Sequence, residues 1–536
     1  MPIVDWRPFF PLPQPRPEQA RALDWICEQF EAGHRKVIGE LGTGIGKSAI
    51  AVTIGAWLEH IECGVGEYGP GCTILTSQKV LQDQYIKDFS QARDLRASAN
   101  FQCSGPVAGT CGETSRVRKA VGMEMAREKL KCTACPYRIA KDDFVASHIG
   151  VTNYSYALSE AMYAGEIPPR RLLVLDEAHN VEDEIRRWTT VEVTDKDAED
   201  LGCEIPTSDD VDAATVWLSE TYKVALALRL EKLGKKLKGL VKRNSLGVSS
   251  VKTLANDNDK FDKRICQINR IVDKGGRLLV SLHDDPRHHT RSIKFQPIEV
   301  SELMEELLYS RASATLLMSA TLLDREVFSK SVGLVGAPYL SIPTPFRTEA
   351  FGLSFRPVGR MTMAHIERTL RDYPKAIRRV LQDFPDSKGI IHTTNYRITR
   401  AIGEALASEQ RLLVQSAAGD RDKMLKQHVS SKEPTVLVSP SMMEGLDLRD
   451  DLGRFQVLCK VPYPDMSDPI MKAKPREWYD WRTVRTLVQA VGRGVRSETD
   501  WTVTIILDES FIDLLERVGT MLPVHLRKNI DVREPF

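Results

Sequence analysis

Short apolar runs ending in hydroxyls or carboxylates recur along the chain, and most are followed by a stretch whose apolar residues return at helical spacing. Lys36-Val37-Ile38-Gly39, Cys72-Thr73-Ile74-Leu75-Thr76, Ile149-Gly150-Val151-Thr152, Arg171-Leu172-Leu173-Val174-Leu175 and Thr315-Leu316-Leu317-Met318 form one set. These runs have the length and continuity of strands covered on both faces, as in a parallel sheet with helices on either side. A proline-bearing link, Pro343-Thr344-Pro345-Phe346, separates them from a second set at 389–395, 412–415, 435–439, 455–458 and 503–508. The pattern predicts an α/β protein with two tandem parallel-sheet units.

Three segments depart from this rhythm. The leader carries Pro8, Pro11, Pro13, Pro15 and Pro17 and is expected to be non-helical until a helix starts near Arg16-Pro17-Glu18-Gln19. A cysteine-bearing excursion follows the second strand. Between Val181 and about Ser310 the pattern reads as helical without strands, acidic at first and then basic, which points to an inserted helical domain.

Composition narrows the class. The chain has 536 residues with 42% hydrophobic and 27% charged residues, ordinary values for a folded multidomain protein. Long apolar runs and a secretory leader are missing from the pattern, so an intracellular, cytoplasmic protein without a membrane span is expected. The net charge of +1 conceals an asymmetry, because Arg229 to Arg277 holds fourteen Lys or Arg against five Asp or Glu. Such a run is either a solvated helical face or a basic track for a phosphate backbone.

The candidate chemistry sits at the ends of the apolar runs. Glu40-Leu41-Gly42-Thr43-Gly44-Ile45-Gly46-Lys47-Ser48 follows the first strand and precedes a helical pattern, the context of a phosphate loop. Gly42, Gly44 and Gly46 free the backbone so that N–H groups and a helix N-terminus face the phosphates; Lys47 reaches the β- and γ-phosphates and Ser48 ligates Mg²⁺. Leu41 stands where the strict pattern has glycine. Asp176-Glu177-Ala178-His179 closes another strand, where ligands of open α/β sheets bind. There Asp176 is placed to hold Mg²⁺ and Glu177 to activate water. Gln19 could read the edge of adenine, although a surface glutamine at a helix start is commoner.

Ten cysteines are unevenly spread, and Cys103, Cys111, Cys132 and Cys135 fall within 33 residues. Four such thiolates suit an iron–sulfur cluster, or a zinc ion as the alternative. The other six read as small buried hydrophobes. In the second unit, Gln489-Ala490-Val491-Gly492-Arg493-Gly494-Val495-Arg496 reads as two arginines on one helix face, able to reach a γ-phosphate from a second domain.

Taken in order, Gln19, the phosphate loop, Thr76-Ser77-Gln78, the cysteines, Asp-Glu-Ala-His, Ser319-Ala320-Thr321, Glu444-Gly445-Leu446-Asp447 and Gln489-x-x-Gly-Arg493-x-x-Arg496 resemble superfamily 2 helicases of the XPD/DinG type. The resemblance spans nearly the whole chain. It implies two RecA-like domains, an iron–sulfur insertion and a helical arch in the first, and 5′-to-3′ movement on single-stranded DNA. It also implies that Gln19 contacts adenine, that Gly42, Thr43, Gly44, Gly46, Lys47, Ser48, Asp176 and Glu177 form the ATP–Mg²⁺ site, and that Ser319 and Thr321 couple hydrolysis to motion. Glu444 and Asp447 would lie at the interdomain cleft, with Gln489, Arg493 and Arg496 completing the catalytic set.

The boundaries that follow are 1–99 for the first part of domain 1, 100–136 for the cysteine insertion, 137–185 for its continuation, 186–309 for the arch, 310–342 for its last part and 343–536 for domain 2. The expected protein is a monomeric ATP-dependent DNA helicase acting on single-stranded and forked DNA. The alternative is a nucleotide-switched DNA-binding factor that hydrolyses ATP without separating strands.

Overall fold

The structure is a computed structural model describing residues 4–61, 68–103, 109–130, 135–243, 249–274, 276–285, 290–443 and 448–533. The first apolar set forms β1 (Lys36–Leu41), β2 (Gly69–Thr76), β3 (Ala92–Asp94), β4 (Ile149–Asn153) and β5 (Arg170–Asp176). An insertion then contributes β6 (Val191–Thr194), β7 (Leu278–Asp285) and β8 (Thr290–Pro297), before β9 (Ala312–Ser319) and β10 (Tyr339–Ile342) return to the sheet. The order is β10-β1-β9-β5-β2-β4-β3, all parallel. Every residue of β5 is buried, as its unbroken apolar run requires.

The second set forms β11 (Phe351–Gly359), β12 (Gly389–His392), β13 (Leu412–Val414), β14 (Val436–Ser439), β15 (Phe455–Leu458), β16 (Thr502–Asp508) and β17 (Ile530–Val532). Their order is β13-β14-β12-β15-β16-β11-β17, again parallel throughout. The two-sheet α/β architecture expected from the apolar runs is therefore present.

The insertion is not wholly helical, contrary to expectation. β6, β8 and β7 pair antiparallel, with Val191 and Val193, Ile293 and Phe295, and Val280 turned towards a core shared with Tyr222, Leu226, Ile268 and Ile271. Alternation with period two in short strands was masked by the long helical stretches around it, Lys223–Lys242 and Ser249–Lys274. The leader also differs: Arg7–Phe9 forms one 3₁₀ turn, with proline at its start where the missing N–H costs nothing.

Both insertions share a core. Val117, Val121, Ala126 and Leu130 of the cysteine segment pack with Leu237, Val241, Val251 and Ala255 of the arch helices. Arg116 and Lys119 face Asp259 and Asp262 across the same contact. Burial of eight apolar side chains at a seam between two small segments supplies what neither could bury alone.

The Arg476–Val491 helix joins the two sheets. Its later residues, Val484, Leu487, Val488, Ala490 and Val491, belong to the core of the second sheet. Trp478 and Trp481 at its start, with Ile470 and Met471 just before, are buried in the core of the first. Each indole N–H finds an acceptor across the seam, Trp478 on Glu182 at 2.8 Å and Trp481 on the Leu322 carbonyl at 2.7 Å. Lys474 reaches Glu182 and Glu299, both at 2.8 Å, and Arg482 reaches Asp183 at 2.6 Å.

Candidate active site

β1 delivers the chain to a turn at 42–46 that opens the Lys47–Ile61 helix. Gly44 and Gly46 have φ of 89° and 90°, a region that L side chains rarely adopt. A Cβ at Gly46 would meet the Gln19 amide at 2.5 Å, and one at Gly44 would strike the Phe346 ring. Among the described residues, no backbone acceptor takes the N–H groups of Thr43, Gly44, Gly46 or Lys47. The turn therefore presents donors at a helix N-terminus, which is an anion cradle.

Gln19 is buried and supports this turn. Its Oε1 accepts from the Arg16 N–H at 2.9 Å, and its Nε2 donates to the Gly46 carbonyl at 3.3 Å. Arg16 donates to the Gly44 carbonyl. From the interdomain link, Thr344 donates to the Thr43 carbonyl at 2.8 Å.

Asp176 and Glu177 stand opposite, at the end of β5. Lys47 Nζ lies 3.5 Å from a Glu177 oxygen. Asp176 is buried; it accepts from the Tyr85 hydroxyl at 3.1 Å and from the Glu177 N–H at 3.0 Å. Tyr85 thus ties the helix after the second strand to Asp176, one of the two residues expected at Mg²⁺. Burial, together with the neighbouring Glu177 charge, raises the Asp176 carboxyl above its ordinary range against the pull of Lys47. Burial works the same way on Glu177, but the Lys47 ammonium and His179 outweigh it and hold that carboxyl low. Glu177 has φ of 53°, a left-handed backbone at a non-glycine residue, and such positions concentrate at functional turns.

His179 carries the contact to the second sheet. Its Nδ1 lies 2.7 Å from Ser319 Oγ and 3.3 Å from Glu177, and its Nε2 lies 2.6 Å from the Gln489 amide nitrogen. Gln489 also donates to Thr321 Oγ1 at 3.2 Å. Arg485 donates to the His179 carbonyl at 2.6 Å. One imidazole thus links the carboxylate turn, the Ser-Ala-Thr turn and the helix anchored in both cores.

The two arginines do not share a helix face, contrary to expectation. The helix ends at Val491, a 3₁₀ turn covers Gly492–Gly494, and the chain is extended by Val495. Glycines flanking Arg493 break the helix, and Gly494 is required because a Cβ there would meet Thr502 at 2.5 Å. Arg493 donates to the Met443 carbonyl, and the Arg496 N–H to Asp500 at 3.1 Å. Glu444 and Asp447 lie outside the described residues.

Two of the four clustered cysteines meet, and a third is reached through a threonine. Cys111 and Cys135 sulfurs are 3.8 Å apart, and Thr114, one turn on from Cys111, donates to Cys103 at 3.1 Å. Burial, with Cys135 and Cys103 nearby, raises the Cys111 thiol. Cys132 lies outside the described residues. Among the described residues, no group of three ligating side chains stands ready for a metal. Of the scattered cysteines, Cys27, Cys72 and Cys459 are buried, while Cys203 and Cys266 are half-buried.

Sequence reasoning missed Tyr85, Tyr154, Glu40, Phe346 and Arg485. Tyr154 donates to the Asp176 carbonyl at 3.0 Å, and Glu40 accepts from the Leu323 N–H at 2.6 Å. An aromatic in the helix after the second strand gives no sign of the carboxylate it will meet; only the parallel order of β2 beside β5 brings them together.

A model described as Helicase C-terminal domain matches residues 377–529, and one described as DEAD_2 matches residues 107–198. Among curated relatives, ATP-dependent DNA helicase YoaA of Escherichia coli is 24% identical over 243 residues, covering 42% of this chain and 37% of that protein. ATP-dependent DNA helicase DinG of Photobacterium profundum is 26% identical over 274 residues, covering 45% and 38%. Parts of the sequence are thus similar to DinG-type helicases. These relatives are matched over less than two fifths of their own length. A solved XPD helicase superposes with a TM-score of 0.61 at 15% identity over 98% of this chain and 100% of that one. S. tokodaii Xpd4 gives 0.57 at 14%, over 97% and 100%. Both show that the two sheets are arranged as tandem RecA-like domains.

Proposed function

We propose that this XPD/DinG-like chain is an ATP-dependent DNA helicase that moves 5′ to 3′ on single-stranded DNA and opens duplex or forked DNA. The observation that carries the reading is the His179 junction: the Lys47–Glu177 pair on one sheet is wired through one imidazole to Gln489 on the helix rooted in both domains. ATP phosphates would lie in the 42–48 cradle, with Mg²⁺ beside Ser48 and Asp176, whose buried carboxylate favours a cation partner. Glu177, kept ionised by Lys47, would orient and deprotonate the attacking water. Gln19 would contact adenine with its second amide N–H and the remaining lone pair of its Oε1, and Arg493 and Arg496 would approach the γ-phosphate as domain 2 closes.

An iron–sulfur cluster would be held by Cys103, Cys111, Cys132 and Cys135, with zinc as the alternative. The approach of the Cys111 and Cys135 thiols supports such a ligand set, and a bound metal would reverse the upward push on the Cys111 thiol. The group would act structurally, bracing the segment that packs on the arch. Lys235, Lys236, Lys238, Lys242 and Arg243 lie on the arch and offer a sequence-independent track for phosphates.

No helix among the described residues is long and apolar enough to cross a membrane. The test of the proposal is a strand-displacement assay on duplexes forked at either end. ATP-dependent displacement from a 5′ overhang supports the reading. DNA-stimulated hydrolysis with no displacement in either polarity would instead favour a nucleotide-switched binding factor.

A further inference from the structure

A polar groove of about 490 Å³ lies between the helix that follows the Asp-Glu-Ala-His turn and the root of the arch. Four elements supply its walls, β6 with the single carboxylate Glu192 and three others each with its own period. Arg187 and Thr190 come from the end of the Val181–Thr189 helix, Arg264 and Gln267 from one face of the Ser249–Lys274 helix, and Lys294 and Gln296 from one face of β8. Residues three apart on a helix and two apart on a strand share a side, so the three elements converge on one space.

The charges are only partly used internally. Arg187 pairs with Glu184 at 2.6 Å, and Lys294 is 3.8 Å from Glu192, which itself accepts from Ser292 at 3.0 Å. Asp183 and Arg186 form the floor. Asp183 is taken by Arg482 at 2.6 Å and Arg485 at 3.5 Å, and Arg186 by Glu182 at 2.5 Å. Among the described residues Arg264 makes no ion pair. Gln267 donates to the Trp188 carbonyl at 3.0 Å, which fixes its amide with the oxygen free to accept. A guanidinium, an ammonium and a second amide, that of Gln296, therefore face a space large enough for a phosphate and its sugar.

We propose that this groove is a second anion site, separate from the phosphate loop, that takes a phosphate group of a nucleic-acid strand. Naming a strand as the source rests on the helicase reading; the same chemistry would accept a free polyphosphate. Its placement gives the site a route to the ATP carboxylates. The groove floor and the seam between the two sheets use the same carboxylate, Asp183, and the helix bearing it starts just after His179. A phosphate drawing on Arg186 or Arg187 would change what Asp183 and Glu184 have to balance.

The experiment compares the intact chain with the Arg264→Ala/Lys294→Ala double variant and with Gln296→Glu, which keeps the side-chain size and places a carboxylate in the groove. Labelled oligothymidine is titrated across a salt series by fluorescence anisotropy, thermal midpoints are read with sodium pyrophosphate, and binding of a fluorescent ATP analogue reports on the phosphate loop. A strand phosphate in the groove predicts a salt slope shallower by about 0.7 for each phosphate no longer neutralised and oligonucleotide binding roughly tenfold weaker, with ATP-analogue binding unchanged. An unchanged slope, with pyrophosphate raising the midpoint of the intact chain but not of Gln296→Glu, assigns the site to a free polyphosphate. No change in slope and no pyrophosphate effect overturns the proposal. If the intact chain holds ATP but no oligonucleotide, the helicase reading fails by itself, and the pyrophosphate arm still judges the groove.

Discussion

Removing Trp481 should unlock the two domains without unfolding either. Its indole is 1% exposed in the core of the first sheet, donates to the Leu322 carbonyl at 2.7 Å and is covered by the Arg485 guanidinium at 4.8 Å, yet its helix is rooted in the core of the second. Truncating a buried tryptophan costs about 3–5 kcal/mol. The hydrogen bond and the cation–π interaction are part of that sum rather than additions to it, since both vanish with the ring. Because Val484, Leu487 and Val488 still anchor the helix in the second core, the cost falls on docking. At about 1.36 kcal/mol per tenfold, the docked population should fall by about two to four orders of magnitude relative to the undocked one. Calorimetry on Trp481→Ala should resolve two unfolding transitions where the intact chain shows one, and small-angle scattering should show a larger radius of gyration. Hydrolysis should fall with docking, since Arg485 and Gln489 reach His179 from the same helix. A single transition with an unchanged radius would refute the argument that this helix clamps the domains.

Glu177→Gln should lower ATP turnover by about 10²–10⁴ while retaining nucleotide binding, as the base is removed and the cradle is not; quench-flow and equilibrium binding read the two separately. Cys135→Ser should lower bound metal, measured with sulfide by elemental analysis, and weaken strand displacement while DNA-independent hydrolysis survives; the shared apolar seam with the arch should keep the Cys111–Val121 helix folded by hydrogen exchange. His392 is fully buried, and burial together with the neighbouring Arg493 charge pushes its imidazole down to about 4 from 6.5. The unfolded chain then binds this proton more readily than the folded one, so its contribution to the stability of the second domain is complete above about pH 6.5 and falls as pH drops towards about 4. The loss is about 3 kcal/mol. Thermal midpoints of His392→Gln should be flatter across that window than those of the intact chain, and parallel curves would remove the assignment.

The sequence alone was enough for the alternation of buried strands with helices, because a strand covered on both faces must be apolar throughout and β5 and β12 are buried along their whole length. It was equally enough for the phosphate turn and the carboxylate turn. Their chemistry depends on residue types at neighbouring positions, and adjacency along the chain is what a sequence states directly. Beyond neighbouring positions its reach failed in characteristic ways. Short strands among long helices, such as β6 at Val191–Thr194, carry too few residues for period two to stand out. The break after Val491 was hidden because Gly492 and Gly494 are tolerated within a helix pattern, and only the close approach of Thr502 shows why glycine is needed.

What tertiary structure decided is who meets whom. Tyr85 meets Asp176 because β2 pairs with β5; His179 meets Gln489 from 310 residues away; and one helix belongs to two cores. Those meetings depend on strand order and on how two sheets dock, quantities summed over very many weak apolar interactions and encoded at no single position. Local chemistry is written in short stretches of sequence, whereas coupling between distant sites is a property of the packed whole.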